Sequence, residues 1–162
     1  MTSNFPIKLL ACATFCVAGL AVGQAPAQAA TWHAGTPKAL RGMYQAHREN
    51  QADGFGPVLK LTAKSVSRQN SNWPLIKITH VKYKRLKHNT YLIKGHMQKN
   101  GYVLSRPASV YIARKGNRLL TIMDPDFPGS TRKTFHADYR YALRNPFVKT
   151  HKVKANGPVI HV

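Results

Sequence analysis

Past residue 40 the apolar side chains recur at every second position, in short runs cut by turn residues. A chain patterned this way is confined to strands, because a period of two places one set of side chains on one face of a sheet. Runs rich in Val, Ile, Tyr and Thr and bounded by Gly, Pro, Asn and Ser mark the candidates. They are Gly42–Arg48, Val58–Val66, Leu75–Leu86, Tyr91–Gln98, Ser109–Arg114 and Arg118–Met123. Within Val58–Val66, Leu59, Leu61 and Ala63 share one face while Lys60, Thr62 and Lys64 share the other.

Breaks between the runs carry their own chemistry. Residues 50–57 read as a loop, as do Asn70–Pro74 and Lys87–Thr90. Asn100-Gly101 is a tight-turn dipeptide, and Lys115-Gly116-Asn117 reads as a hairpin turn. Asp124–Gly129, with two prolines and a glycine, is loop. In Phe135–Arg144 the odd positions are apolar or aromatic and the even ones mostly polar, which favours a strand. Phe135, Tyr139, Ala142 and Leu143 also lie at helical spacing, so a short helix stays open. The final residues 155–162 read either as a closing strand or as a frayed end. The expected fold is all-β: a small antiparallel barrel or sandwich of about seven strands, mostly up-and-down.

The N-terminus reads as a secretory signal. Lys8 ends a short n-region, a 14-residue apolar run follows from Leu9 to Val22, and Ala27-Gln28-Ala29 fits an A-x-A cleavage site. Spanning a bilayer takes roughly 20 residues, so the run is short for an anchor. Expected organisation is a signal peptide over 1–29, an extended lead-in over 30–41 and one β-rich domain over 42–162. Both cysteines, Cys12 and Cys16, fall inside the signal. The mature chain then has no disulfide, thiolate metal site or cysteine nucleophile.

Charge narrows the partners. Lys and Arg number 25 against 5 Asp and Glu, a net charge of +20, of which the signal removes only Lys8. An exported protein this basic meets polyanions, and the field steers encounters without specifying a fold. The candidate contacts are Lys82, Lys84, Arg85, Lys87 and Lys94, then Arg132, Lys133 and Arg140, then Lys149, Lys152 and Lys154. Aromatic residues interleave the first two groups, a pattern that also suits a solvated basic face over a core edge. The expected partners are anionic cell-wall polymers of the teichoic-acid type or other extracellular polyanions, with peripheral contact to anionic membrane; no specific protein partner follows. Expected localisation is secreted, with retention at the wall by charge.

Catalytic patterns are thin. Asp124 and Asp126 form the one close carboxylate pair, and an Asp-Pro turn is the favoured account of them. His136 and Asp138 would share a strand face, and Ser65, His96 and Asp138 make a triad on paper only, without a nucleophile elbow. No phosphate-cradling loop or dinucleotide fingerprint occurs, so neither catalytic residue, metal nor cofactor is expected. Alternatives to a charge-held, non-catalytic domain are a barrel holding a small apolar ligand against Tyr83, Tyr91 and Tyr111, and, further off, a hydrolase of wall or nucleic-acid polymers.

Two blocks, Gly35–Gly42 (GTPKALRG) and Val81–His96 (VKYKRLKHNTYLIKGH), resemble small, basic, secreted proteins of lactobacilli and related lactic acid bacteria. The resemblance implies a Gram-positive exporter and a β-rich domain. It carries no catalytic signature, so no functional residue follows from it.

Overall fold

The computed structural model describes residues 31–124 and 139–160. Its strands are β1 (His33–Ala34), β2 (Gly42–Gln45), β3 (Val58–Leu61), β4 (Val66–Gln69), β5 (Ile76–Lys87), β6 (Thr90–Met97), β7 (Arg106–Lys115), β8 (Arg118–Asp124) and β9 (Phe147–Thr150). From β2 to β9 each strand pairs antiparallel with the next, and β9 pairs back to β2 through Met43↔Thr150, Tyr44↔Lys149 and Gln45↔Val148. Eight strands thus close an up-and-down barrel, which removes the sandwich alternative. β1 is an extra strand on β5, with His33↔Tyr83 and Ala34↔Lys82. It takes the side of β5 that β4 occupies only as far as Ile78.

The interior is filled by the alternating apolar set. Leu59, Val66, Ile78, Ile93, Val110, Ile112 and Leu119 are wholly buried, each supplied by a strand, and Leu40 joins them from a single 3-10 turn, Lys38–Leu40. Burying an aliphatic side chain of this size contributes about 1.5–3 kcal/mol. The 31–41 segment is held to the wall as well as to the core: the Gly35 amide donates to the Val81 carbonyl at 2.7 Å and the Thr36 hydroxyl donates to the Thr62 carbonyl.

Strands β5 and β6 carry one register shift that shapes the site. Between Thr79↔His96 and Lys82↔Lys94, β5 advances three residues while β6 advances two. The extra residue includes His80 in the left-handed region, φ 51°. Such a bulge bends and twists the strand. It also drives Ile78, Val81 and the Thr79 carbonyl onto Gly95, where a Cβ would lie 2.6–2.9 Å from all three.

Four expectations are corrected. Among the described residues there are nine strands rather than about seven. Val58–Val66 is not one strand but β3 and the start of β4, folded at Thr62–Ser65. The Thr62 amide donates to the Ser65 carbonyl at 2.9 Å, and the Ser65 amide donates to the Thr62 hydroxyl at 3.0 Å, so the side chain closes a turn that has neither Gly nor Pro. The strand favoured over Phe135–Arg144 is helix over 139–144, while 135–138 lie outside the described residues. The helix buries Ala142, and Asn145 just after it bonds the loop ahead of β3: its Oδ1 accepts the His47 amide at 2.9 Å and its Nδ2 donates to the His47 carbonyl at 3.1 Å. Helical spacing wins because one buried small residue, with Asn145 tying the helix end to the His47 backbone, seats it while Tyr139, Tyr141 and Leu143 stay exposed. Finally, the closing strand is β9, not the 155–162 tail, whose Ala155 and Val159 make only isolated bridges, to Phe55 and Arg48. The loop expected over Asp124–Gly129 lies outside the described residues beyond Asp124, the end of β8.

Candidate functional site

Residues 54–123 contain no Asp or Glu. That run supplies β3 to β7 and all of β8 except Asp124, so along these strands no other carboxylate is interleaved with the basic side chains. Glu49 and Asp53, just ahead of β3, are engaged there: Glu49 Oε1 accepts the Tyr141 hydroxyl at 2.9 Å, and Asp53 accepts the amides of Glu49 and Asn50 at 3.1 and 3.2 Å.

The tightest basic cluster forms where β1 meets β5. Lys82 and Lys84 are two apart on β5 and share the outer face. Lys94 lies directly opposite Lys82 on β6. Like charges facing each other across a strand pair destabilise it. Here an indole lies among them: the Nζ atoms of Lys82, Lys84 and Lys94 are 5.3, 5.3 and 5.9 Å from the centre of the Trp32 ring. Each such contact at an exposed site stabilises by about 0.5–1 kcal/mol. Trp32 reaches this place because His33 pairs with Tyr83; their rings stack at 5.2 Å, and Tyr83 meets Tyr91 edge-on at 6.3 Å. Lys82 and Lys94 are exposed, Lys84 is half-buried and Trp32 is 37% exposed. Three ammonium groups, each with three N–H donors and no acceptor, therefore converge at the surface on one ring. Chemically the arrangement can surround an oxyanion.

A second basic row lies on the same outer wall. Lys60 on β3, Ser67 on β4 and Lys77 on β5 are consecutive register partners. They border a shallow cavity of about 350 Å³ with Thr62, Ser65 and Gln69. Sequence reasoning passed over Lys60 and Lys77, which looked like the ordinary polar face of a strand. It also passed over Trp32, which nothing in the sequence links to residues 50 positions away.

The other candidates are scattered. Arg85 points to the β5–β6 turn, its Nη2 lying 3.1 Å from His88 Nδ1. Lys87 borders an outer apolar groove of about 320 Å³ with Leu86, Tyr111, Leu120 and Ile122. Lys149 and Lys154 line a cavity of about 210 Å³ with Gln45, His47 and Arg48, and Lys154 is tied there through its backbone, its amide donating to Gln45 Oε1 at 2.8 Å. Lys152 and Arg140 are exposed elsewhere. Arg132 and Lys133 lie outside the described residues.

Of the paper triad, the Ser65 hydroxyl pairs with Thr62 Oγ1 at 2.8 Å and His96 Nε2 pairs with Ser105 Oγ at 2.8 Å rather than with each other, while Asp138 lies outside the described residues with Asp126 and His136. Among the described residues no group of three or more His, Cys, Asp or Glu is placed to hold a metal ion. Tyr83 and Tyr91 pack against the core, while Tyr111 lies on the opposite face from Val110 and Ile112, so the three tyrosines do not line one cavity. Among the described residues no helix is long and apolar enough to cross a membrane. The chain matches no protein-family model, no curated protein and no solved structure.

Proposed function

We propose that this is a secreted, non-catalytic β-barrel that associates electrostatically with phosphate-rich polymers of the cell surface, of the teichoic-acid type. The observation that carries this reading is the convergence of Lys82, Lys84 and Lys94 on Trp32, on strands β5 and β6, which contain no Asp or Glu. A surface of this kind attracts polyanions by releasing their condensed counterions. The filled interior supports a surface function over storage of an apolar ligand within the barrel. The N-terminal segment and the resemblance to secreted proteins of lactic acid bacteria support an extracellular setting.

The test is binding of the purified protein to isolated cell walls at rising salt, with and without the phosphate polymer extracted. Binding is expected to fall log-linearly with salt. The slope is expected to shrink by about 2–3 in the Lys82→Gln, Lys84→Gln, Lys94→Gln triple variant, taking 0.7–0.9 per phosphate contact as on nucleic acids. Binding that persists in molar salt, or is unchanged after the polymer is removed, would refute the proposal.

A further inference from the structure

The two lysine clusters lie along one strand, and their spacing bears on the shape of the ligand. Lys60, Ser67 and Lys77 form a row across β3, β4 and β5. Neighbouring strands are about 4.8 Å apart, so the two lysine backbones stand roughly 10 Å apart with a hydroxyl between them. From Lys77, β5 runs on through the bulge to Lys82 and Lys84. Trp32 precedes the residue paired with Tyr83, which sets the indole at the level of Lys84. Discounting the one bulged residue, Lys77 lies about 13 Å along the strand from Lys82 and about 20 Å from Lys84, the level of the indole, at roughly 3.3 Å per residue. The stretch between them carries Thr79, His80, His96 and Gln98, polar and without negative charge; the Gln98 amide donates to Thr79 Oγ1 at 2.8 Å.

A single phosphate group seated among the three ammonium groups at the Trp32 ring does not reach the Lys60–Lys77 row, about 20 Å away along the strand. Resting on the function proposed above, we infer that the ligand is an extended phosphate chain that lies along the outer face of β5 and engages the Trp32 cluster and the Lys60–Lys77 row together. Once one cluster holds the chain, the other meets it at a high effective concentration, and such linkage raises affinity by about 10²–10⁴ over either contact alone. A chain too short to span the gap gains nothing from the second cluster.

Inorganic polyphosphate of defined length is the probe, at low salt and with affinity counted per chain. Tripolyphosphate is too short to bridge the clusters; a chain of several tens of phosphates is not. The long chain is expected to bind at least 100-fold more tightly than tripolyphosphate, beyond the gain from its larger number of binding positions. Lys60→Gln with Lys77→Gln is expected to remove at least tenfold of that advantage, weakening the long chain by a larger factor than it weakens tripolyphosphate. Both lysines are exposed, and a melting curve checks that the double variant folds. Lys38→Gln with Lys115→Gln removes the same charge from exposed positions elsewhere. If this control loses as much affinity as the Lys60/Lys77 variant, or if long and short chains bind alike, the two-cluster inference is overturned while a charge-driven function stands. If the long chain does not bind the unaltered protein at all, the proposed function itself falls.

Discussion

Replacing Gly95 by alanine tests the packing at the β5 bulge. The added methyl carbon would sit 2.6 Å from the Thr79 carbonyl oxygen, 2.7 Å from Ile78 Cγ2 and 2.9 Å from Val81 Cγ1. All three distances are below ordinary van der Waals contact. The carbonyl belongs to a strand held to β6, Ile78 is wholly buried and Val81 is 6% exposed, so none can swing into solvent. Overpacking of this kind costs about 1–3 kcal/mol. At roughly 4 °C per kcal/mol for a domain of this size, Tm is expected to fall by about 4–12 °C. The control is Gly157→Ala, where a Cβ meets nothing within 4 Å; its expected effect is within about 0.5 kcal/mol. Urea titration of both variants, with the slope m compared, separates lost stability from a changed unfolded state. A Gly95→Ala protein within 0.5 kcal/mol of the parent, or one no worse than Gly157→Ala, would refute the argument that the bulge requires glycine.

Other outcomes follow from individual side chains. Burial raises the Tyr44 phenol above its ordinary value of 10.0, with Arg114 opposing, and burial raises Tyr141 likewise, with Asn145 opposing and Glu49 reinforcing. The folded state thus holds these protons more firmly than the unfolded chain, so their contribution is intact below pH 10 and is lost as pH rises through the raised folded values. Tm followed upward from about pH 9 is expected to fall less steeply in Tyr44→Phe, and an equal slope contradicts this. Asn145→Ala removes the bonds to both backbone groups of His47 and the donation to the Tyr141 hydroxyl at 3.3 Å, and is expected to cost about 1–3 kcal/mol by urea titration. For processing, mass spectrometry of the exported protein is expected to place the new N-terminus at Ala30 or within a residue or two; a product retaining Cys12 rules that out.

Much of the barrel was legible because its longest strands announce themselves twice, by alternation and by turns. β5 to β8 combine period-two apolar residues with Asn89, Gly101 and Gly116, each at positive φ in the structure. Where one signal was missing, the reading slipped. The β3–β4 turn depends on a threonine hydroxyl, which no glycine or proline advertises. β9 is four residues long, follows Pro146 and opens a basic stretch, so its charge drew attention before its pattern did. In the site, Lys82, Lys84 and Lys94 were found by charge, but their grouping was not, because Trp32 joins them only through the pairing of His33 with Tyr83. Lys60 and Lys77 become neighbours only once the turn at Thr62–Ser65 sets the register of β4.

Closure of the barrel has a consequence for the unfinished chain. The pairs that shut it join Met43 with Thr150 and Tyr44 with Lys149, residues from opposite ends of the described segments. Contacts so distant in sequence form late, since a long loop must be ordered before they stabilise anything. Until β9 arrives, β2 and β8 each offer a row of unpaired amides and carbonyls along the seam it later fills. Exposed rows of this kind template strand addition between molecules. A chain shortened before Phe147 would keep both edges open and is expected to be more prone to polymerise than one that carries β9. The same step that finishes the fold covers the two edges that would otherwise template strand addition.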